Sequence, residues 1–377
     1  MTHTTIALVL AGGRGSRLSP LTDHRPKPTV PIAGSFSLID VTLSNLANSG
    51  LRNVWIAEQY LPNHLNRHLA GGRPWDLDGT RDGLRVLPPR EGGAGDGFTA
   101  GNGHALYQHL AEVERFGADA LVVCSADHLY QLDFRDVLQQ HDRLGSDLTV
   151  VTTEVAEDPS RYGVVSSRDG EVVAYNYKPE SPSGTVVATE VFVYSVAALR
   201  EACDALIGSG SDGEELADYG DTIVPYMVEH STVHEFRMEG YWRDLGTIDA
   251  YFQAHMELID DLGIDIFRPD WPLVTNVHTA PPARVHAQAE VRDSLLCPGA
   301  VVSGSVDHSV IGPGAVVEAG ASVRRSVLIG DVRVPAGAVL ESVIADRGAQ
   351  VPDGPTGATK PGPGNITVLS VDNFGLM

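Results

Sequence analysis

The segment Leu10-Ala11-Gly12-Gly13-Arg14-Gly15-Ser16-Arg17 combines three glycines with two arginines. Glycines let a backbone approach a ligand closely and aim N–H groups at it, and arginines supply charge that can follow a chain of phosphates. Rossmann-type glycine loops lack those arginines. A further cation, Lys27, sits in Arg25-Pro26-Lys27-Pro28, where the prolines hold the chain extended and fix where the side chain points. Four of the 27 basic residues fall between positions 14 and 27, in a chain of net charge -22. The chemistry this cluster suits is the binding of a polyphosphate; a tight turn with solvated arginines would use the same residue types.

The elements that must carry the loop can be read from the surrounding pattern. Residues 6–10 form an apolar run that ends in Gly12-Gly13, as a buried parallel strand entering a glycine loop does. Similar runs recur at 53–57, 120–124 and 148–152, spaced widely enough for helices between them. This alternation predicts a doubly wound α/β sheet, in which ligands sit beyond the carboxyl ends of the strands. From about residue 290 the texture changes. Ile311, Val317, Val323 and Ile329 recur every six residues, and Val334 and Leu340 continue the series after a one-residue slip. Such hexads predict a β-helix with the aliphatic residue stacked inward. The prolines at 269, 272, 281 and 282 place a joint between a domain at 1–265 and a second at 266–377.

Composition narrows the function classes. The chain has 377 residues, 42% hydrophobic and 20% charged, as a globular protein of two domains does. No apolar stretch is long enough to span a bilayer, and the first residues lack the basic region of a secretory signal. Three scattered cysteines, Cys124, Cys203 and Cys297, offer neither a disulfide framework nor zinc-site spacing, so a cytoplasmic location is expected. The strong negative charge argues against nucleic-acid or membrane partners.

The motifs LAGGRGSRLSPLT, RPKPTVPIAGSFSLIDVTLSN, SADHLY and GYWRDLGTIDAYFQAHMELI, taken in order with the hexad tail, resemble the ADP-glucose pyrophosphorylase family of sugar-phosphate nucleotidylyltransferases. The resemblance implies a Rossmann-like catalytic domain with a mixed sheet, a left-handed parallel β-helix behind it, a Mg2+ cofactor and a homo-oligomer, commonly a tetramer. It implies that Leu10, Ala11, Gly12, Gly13, Arg14, Gly15, Gln59 and Gly101 contact the nucleotide. It further implies that Arg17 and Lys27 hold the triphosphate, that Asp127 is catalytic, and that Asp127 and Asp244 hold the metal. By residue type alone either aspartate could equally cap a helix or close a turn. Magnesium keeps several waters, so one or two protein carboxylates plus phosphate oxygens suffice for it. Lys178 matches the family's lysine for the sugar phosphate, and His104 and Asp244 fall among the implied acceptor contacts.

Three departures from the family pattern coincide where it reads the sugar. Gly101-Asn102-Gly103-His104-Ala105 replaces Gly-Thr/Ser-Ala-Asp-Ala, Tyr177-Lys178-Pro179 replaces Glu-Lys-Pro, and Val187-Ala188-Thr189-Glu190 replaces Ala-Ser-Met-Gly. A carboxylate and a hydroxyl that would bond sugar hydroxyls thus become Tyr177 and Ala188, while Glu190 is new. Loss of such partners rejects the original substrate. The expectation is a transferase that joins an NTP, ATP before GTP, to a glucose-like 1-phosphate such as valienol 1-phosphate. Three alternatives stand beside it: an ordinary glucose-1-phosphate adenylyltransferase, a non-catalytic nucleotide-sugar-binding subunit, and an acyltransferase of the hexapeptide type with His308 as its sole candidate.

Overall fold

A computed structural model describes residues 4–13, 15–88, 99–208, 213–276, 280–358 and 364–371. Its principal sheet has nine strands: β1 Thr5–Ala11, β2 Asn53–Glu58, β3 Gly83–Leu87, β4 Ala120–Ser125, β5 Leu148–Glu154, β6 Gly163–Arg168, β7 Glu171–Tyr177, β8 Val186–Ser195 and β9 Val233–Arg237. They lie in the order β3-β2-β1-β4-β8-β5-β9-β7-β6. The four strands from β3 to β4 run parallel, as the apolar runs at 6–10, 53–57 and 120–124 predict. β8 then pairs antiparallel with both β4 and β5, which makes the sheet mixed. β1 owes its continuous apolar character to flanking partners on both sides and to helices packed against the faces, and Ile6, Leu8, Leu121, Val123 and Phe192 are sealed in one core. Among the described residues, no helix is long and apolar enough to cross a membrane.

The chain forms two compact units. One comprises Met1–Gly13, Thr42–Ala126 and Gln131–Trp242, and holds the nine-stranded sheet; the other comprises Arg14–Val41, Asp127–Tyr130 and Arg243–Met377. The second unit therefore takes the arginine-bearing loop and the segment around Asp127 as well as the C-terminal repeats.

The repeats form a left-handed parallel β-helix whose strands of two or three residues build three sheets of four, five and five strands. Its later coils advance by seventeen residues, pairing Val316 with Arg333, Ser322 with Val339 and Val327 with Ile344. The interior stack runs through Ile311, Val317, Val323, Leu328, Val334, Leu340 and Ala345. Leu328, and not Ile329, is the interior member, which corrects the strict six-residue reading. In these seventeen-residue coils one side is a residue short, so the inward position falls one residue earlier after the corner near Arg325 and the hexad resumes behind it.

That corner has its own chemistry. Asp293, His308, Arg325 and Ser342 all take positive φ there, between 37° and 57°, a conformation that disfavours side chains other than those of glycine and asparagine. A serine ladder compensates. The N–H groups of Ser309, Ser326 and Val343 donate to the hydroxyls of Ser294, Ser309 and Ser326 at 3.0, 3.1 and 3.2 Å, and each hydroxyl donates to the carbonyl two residues before it. Backbone groups that would otherwise be buried unpaired are thereby satisfied.

In the same unit, Thr247 caps helix Ile248–Ile259 by accepting the Ala250 N–H. His255 on this helix is fully buried, with Nδ1 2.9 Å from the Tyr251 carbonyl oxygen, and burial depresses its imidazole to about 4 against the opposing effect of that carbonyl. The folded state thus binds its proton only near pH 4, whereas the unfolded chain binds it below about 6.5. Stability should be insensitive to this group above that range and should fall as pH drops from 6.5 toward 4, at up to about 1.4 kcal/mol per unit. Urea unfolding of wild type and His255→Gln across that window checks it: the variant's slope should be the shallower one.

Candidate active site

In the second unit, Asp127 follows the end of β4 in the chain, one residue before the short strand His128–Tyr130, and Asp244 ends the strand Trp242–Asp244. These two strands pair with each other, which brings aspartates more than a hundred residues apart in sequence to one place. One oxygen of Asp127, one of Asp244 and one ring nitrogen of His128 lie within 4.8 Å of one another. His128 Nε2 is 3.6 Å from an oxygen of each aspartate. Lys27, the first residue of the turn Lys27–Thr29 and only 6% exposed, pairs its ammonium with Asp127 and lies 3.7 Å from Asp244.

Arg17 belongs to the same group. A Cβ placed on Gly246 would lie 2.9 Å from Asp244 Oδ2 and 3.2 Å from Arg17 Nη2, so guanidinium and carboxylate both lean over a position that only glycine leaves open. Gly15, at φ 67°, packs against the Lys27 stem and accepts the Thr22 hydroxyl proton at 2.8 Å, which lays the loop along the lysine. Arg243 grips Glu257 with two hydrogen bonds of 2.9 and 2.7 Å and fixes the strand that ends in Asp244 onto helix Ile248–Ile259. Two carboxylates and an imidazole form a donor set that suits a hard divalent cation such as Mg2+ through its oxygens. Sequence alone assigns His128 no such part. Its signal is adjacency to Asp127 on a three-residue strand, too weak a spacing to single it out before Asp244 is placed.

In the first unit, the end of β1 carries Leu10 and Ala11, and the Leu10 carbonyl accepts the Ala126 N–H at 3.3 Å. Gly12 lies against Gln59, whose Cδ would be 2.9 Å from an added Cβ, and the Gln59 amide donates to Thr99. Gly101 precedes helix Asn102–Phe116, and a Cβ there would run into the Ala217 carbonyl. His104 spends its ring nitrogens inside this helix start, at 3.0 Å from the Ala100 N–H and 3.0 Å from Gln108 Nε2. Arg14 lies outside the described residues.

The acceptor candidates of the first unit gather at the end of β7. The Tyr177 hydroxyl donates to Asp218 and accepts from the Lys178 ammonium, which stands 4.2 Å above the Tyr177 ring. Burial, and then the Asp218 carboxylate, raises the Tyr177 phenol far above its ordinary range, so it remains a hydrogen-bond donor. Gly220 makes room for the ring: an added Cβ would come within 2.5 Å of Tyr177 Cε2. Glu190, at φ 58°, sits in the irregularity of β8 between Ala188 and Phe192, and its charge acts on the phenols of Tyr175, Tyr177 and Tyr219. Ala188 is 3% exposed and belongs to the sheet core. Sequence reasoning misses Asp218, because an Asp-Tyr-Gly triplet reads as an ordinary turn until Tyr177 is placed beside it.

Comparison with known proteins bears on both clusters. Residues 6–261 match the family model described as nucleotidyl transferase, and residues 281–358 match the one described as GlmU-like, C-terminal hexapeptide. A glucose-1-phosphate adenylyltransferase of Bacillus thuringiensis (strain Al Hakam) is 32% identical over 353 residues, 93% of this chain and 93% of that protein.

The carboxylate cluster makes a binding prediction. Manganese titrated calorimetrically into the protein should bind at least about 10-fold more weakly to Asp127→Asn and Asp244→Asn. Lys27→Met removes the ammonium that competes for the same oxygens and should strengthen binding. Unchanged affinity in all three variants would contradict a cation site here.

Proposed function

Because the chain belongs to the nucleotidyl transferase family, as a sugar-phosphate nucleotidyltransferase similar to the ADP-glucose pyrophosphorylases, we propose that it joins the nucleoside monophosphate of ATP to a cyclitol-type analogue of glucose 1-phosphate. The observation that carries the catalytic part is the convergence of Arg17, Lys27, Asp127 and Asp244 within the second unit. An oxygen of the acceptor phosphate attacks the α-phosphorus, a new P–O bond forms, and the bond to the pyrophosphate oxygen breaks with its electron pair leaving on pyrophosphate. The nucleophile is already an anion, so no general base is needed, and positioning with charge neutralisation does the work. Lys27 holds the triphosphate, and Arg17 takes up charge that grows on the leaving group. Asp127 and Asp244 would hold Mg2+, which when bound withdraws charge from the phosphate oxygens. In the first unit, Gly12, Gly13, Gln59 and Gly101 cradle the nucleotide and Lys178 takes the acceptor phosphate.

The acceptor assignment rests on the ring-reading positions. Ala188 is buried and apolar, and Tyr177 has its hydroxyl committed to Asp218 and Lys178, so neither offers what a sugar hydroxyl requires. Valienol 1-phosphate keeps the hydroxyls of glucose 1-phosphate but replaces the pyranose oxygen with an unsaturated carbocycle, a flatter and less polar ring that suits walls made of Ala188 and the Tyr177 ring better than glucose does. A second reading, synthesis of ADP-glucose, is favoured by the likeness to the Bacillus glucose-1-phosphate adenylyltransferase. A homo-oligomer in the cytoplasm is part of the proposal under either reading.

Pyrophosphate release with magnesium, ATP or GTP, and glucose 1-phosphate or valienol 1-phosphate decides between them. Under the first reading kcat/KM for the cyclitol phosphate with ATP exceeds that for glucose 1-phosphate by about 100-fold or more. Comparable or better use of glucose 1-phosphate returns the protein to ADP-glucose synthesis. Lys27→Met and Arg17→Gln should each lower kcat about 100- to 1000-fold whichever acceptor is used.

A further inference from the structure

Lys27 stands two residues after Arg25, and Arg25 is bound to the far end of the β-helix. Its Nη2 meets both oxygens of Asp346, at 2.5 and 2.7 Å, across 321 residues of sequence. The two side chains are only 18% and 11% exposed, so water screens the pair far less than it would a surface ion pair. Asp346 follows the strand Val343–Ala345 in the last coils, and its Oδ1 also accepts the Arg347 N–H at 2.7 Å, which fixes the carboxylate. Between Arg25 and Lys27 lies one residue, Pro26, extended at φ -69° and ψ 147°. Its ring removes the φ freedom that would let residue 25 move without residue 27.

The other side of Lys27 is seated as well. The Tyr251 hydroxyl donates to the Pro31 carbonyl, and the Cys297 thiol to that of Ala33 at 3.6 Å. Gly34, at φ 76°, presses so closely on Cys297 and Val310 that a Cβ has no place there.

Lys27 has four rotatable carbons, and its ammonium is held here by Asp127. When it turns to phosphate that restraint is lost, and only the backbone can keep the charge on target. Displacements of about 1 Å at such a group cost roughly 100-fold in rate. Resting on the assignment of Lys27 to the triphosphate, we propose that Arg25 and Asp346 are positioning residues: their ion pair clasps the Lys27 turn to the β-helix and sets where its ammonium stands during transfer.

Steady-state kinetics of the full chain test this. Asp346→Asn and Arg25→Gln should each lower kcat about 10-fold with the acceptor KM unchanged and the thermal transition within a few degrees of wild type. Arg25→Lys, which keeps the charge but loses the planar guanidinium whose Nη2 meets both oxygens, should retain part of the rate and serves if the others do not fold. The exchanged pair Arg25→Asp with Asp346→Arg should recover rate lost in either single change. The clasp acts through Lys27, so adding Asp346→Asn to Lys27→Met should lower the residual rate no further. Wild-type kcat in folded Asp346→Asn and Arg25→Gln, or a further 10-fold loss in the Lys27→Met background, overturns the clasp. Full activity of Lys27→Met itself overturns the assignment of Lys27 on which the clasp rests, and is told apart because that variant leaves Arg25 and Asp346 intact.

Discussion

A buried ammonium must be compensated, and in this protein the compensation of Lys27 by Asp127 and Asp244 organises everything around it. The charges come from three distant stretches of sequence, and bringing them together requires the turn at residue 27, the strand pair at 128–130 and 242–244, and the helix that follows Asp244. A chain of net charge -22 has acidic groups to spare, and here two cationic side chains stand against two aspartates, so their formal charges cancel. A divalent cation binding these carboxylates would have to displace the Lys27 ammonium from them. The pairing of Lys27 with them serves two ends. It offsets the charge of the aspartates, and under the proposed function it keeps ready the positive charge that turns to the triphosphate.

The β-helix gains a meaning beyond a C-terminal appendage. The compact unit that contains it also contains residues 14–41 and 127–130, so Arg17, Lys27 and Asp127 belong with the repeats although in sequence they follow strands of the sheet. A β-helix suits a supporting role because each coil hydrogen-bonds to its neighbours along all three sides and resists local deformation. The serine ladder at the left-handed corner adds stiffness where side chains other than glycine are forced into positive φ.

The cluster at the end of β7 follows a different logic. Tyr177 is fixed by Asp218 below and Lys178 above, over a glycine that yields its space, so the ring cannot swing aside without breaking two charge-assisted bonds. Under the proposed function, so rigid and self-satisfied a group would discriminate by shape more than by offering hydrogen bonds.

Much of this protein was determined by local sequence. Buried strands announce themselves as apolar runs because both faces and both edges are covered, and hexads announce a β-helix because each side of a coil needs one inward aliphatic residue. The membership of Arg17, Lys27, Asp127 and Asp244 in one site was legible through long motifs shared with a known family. The tertiary structure decided what no local pattern encodes. His128 joins the carboxylates only because two short strands pair, Asp218 meets Tyr177 only because β7 ends above Gly220, and Leu328 replaces Ile329 in the stack because one side of the coil is short. Arg25 reaches Asp346 across almost the whole chain. Contacts of that separation depend on how elements pack, and packing is settled by the sum of all burials and not by the residues that happen to meet.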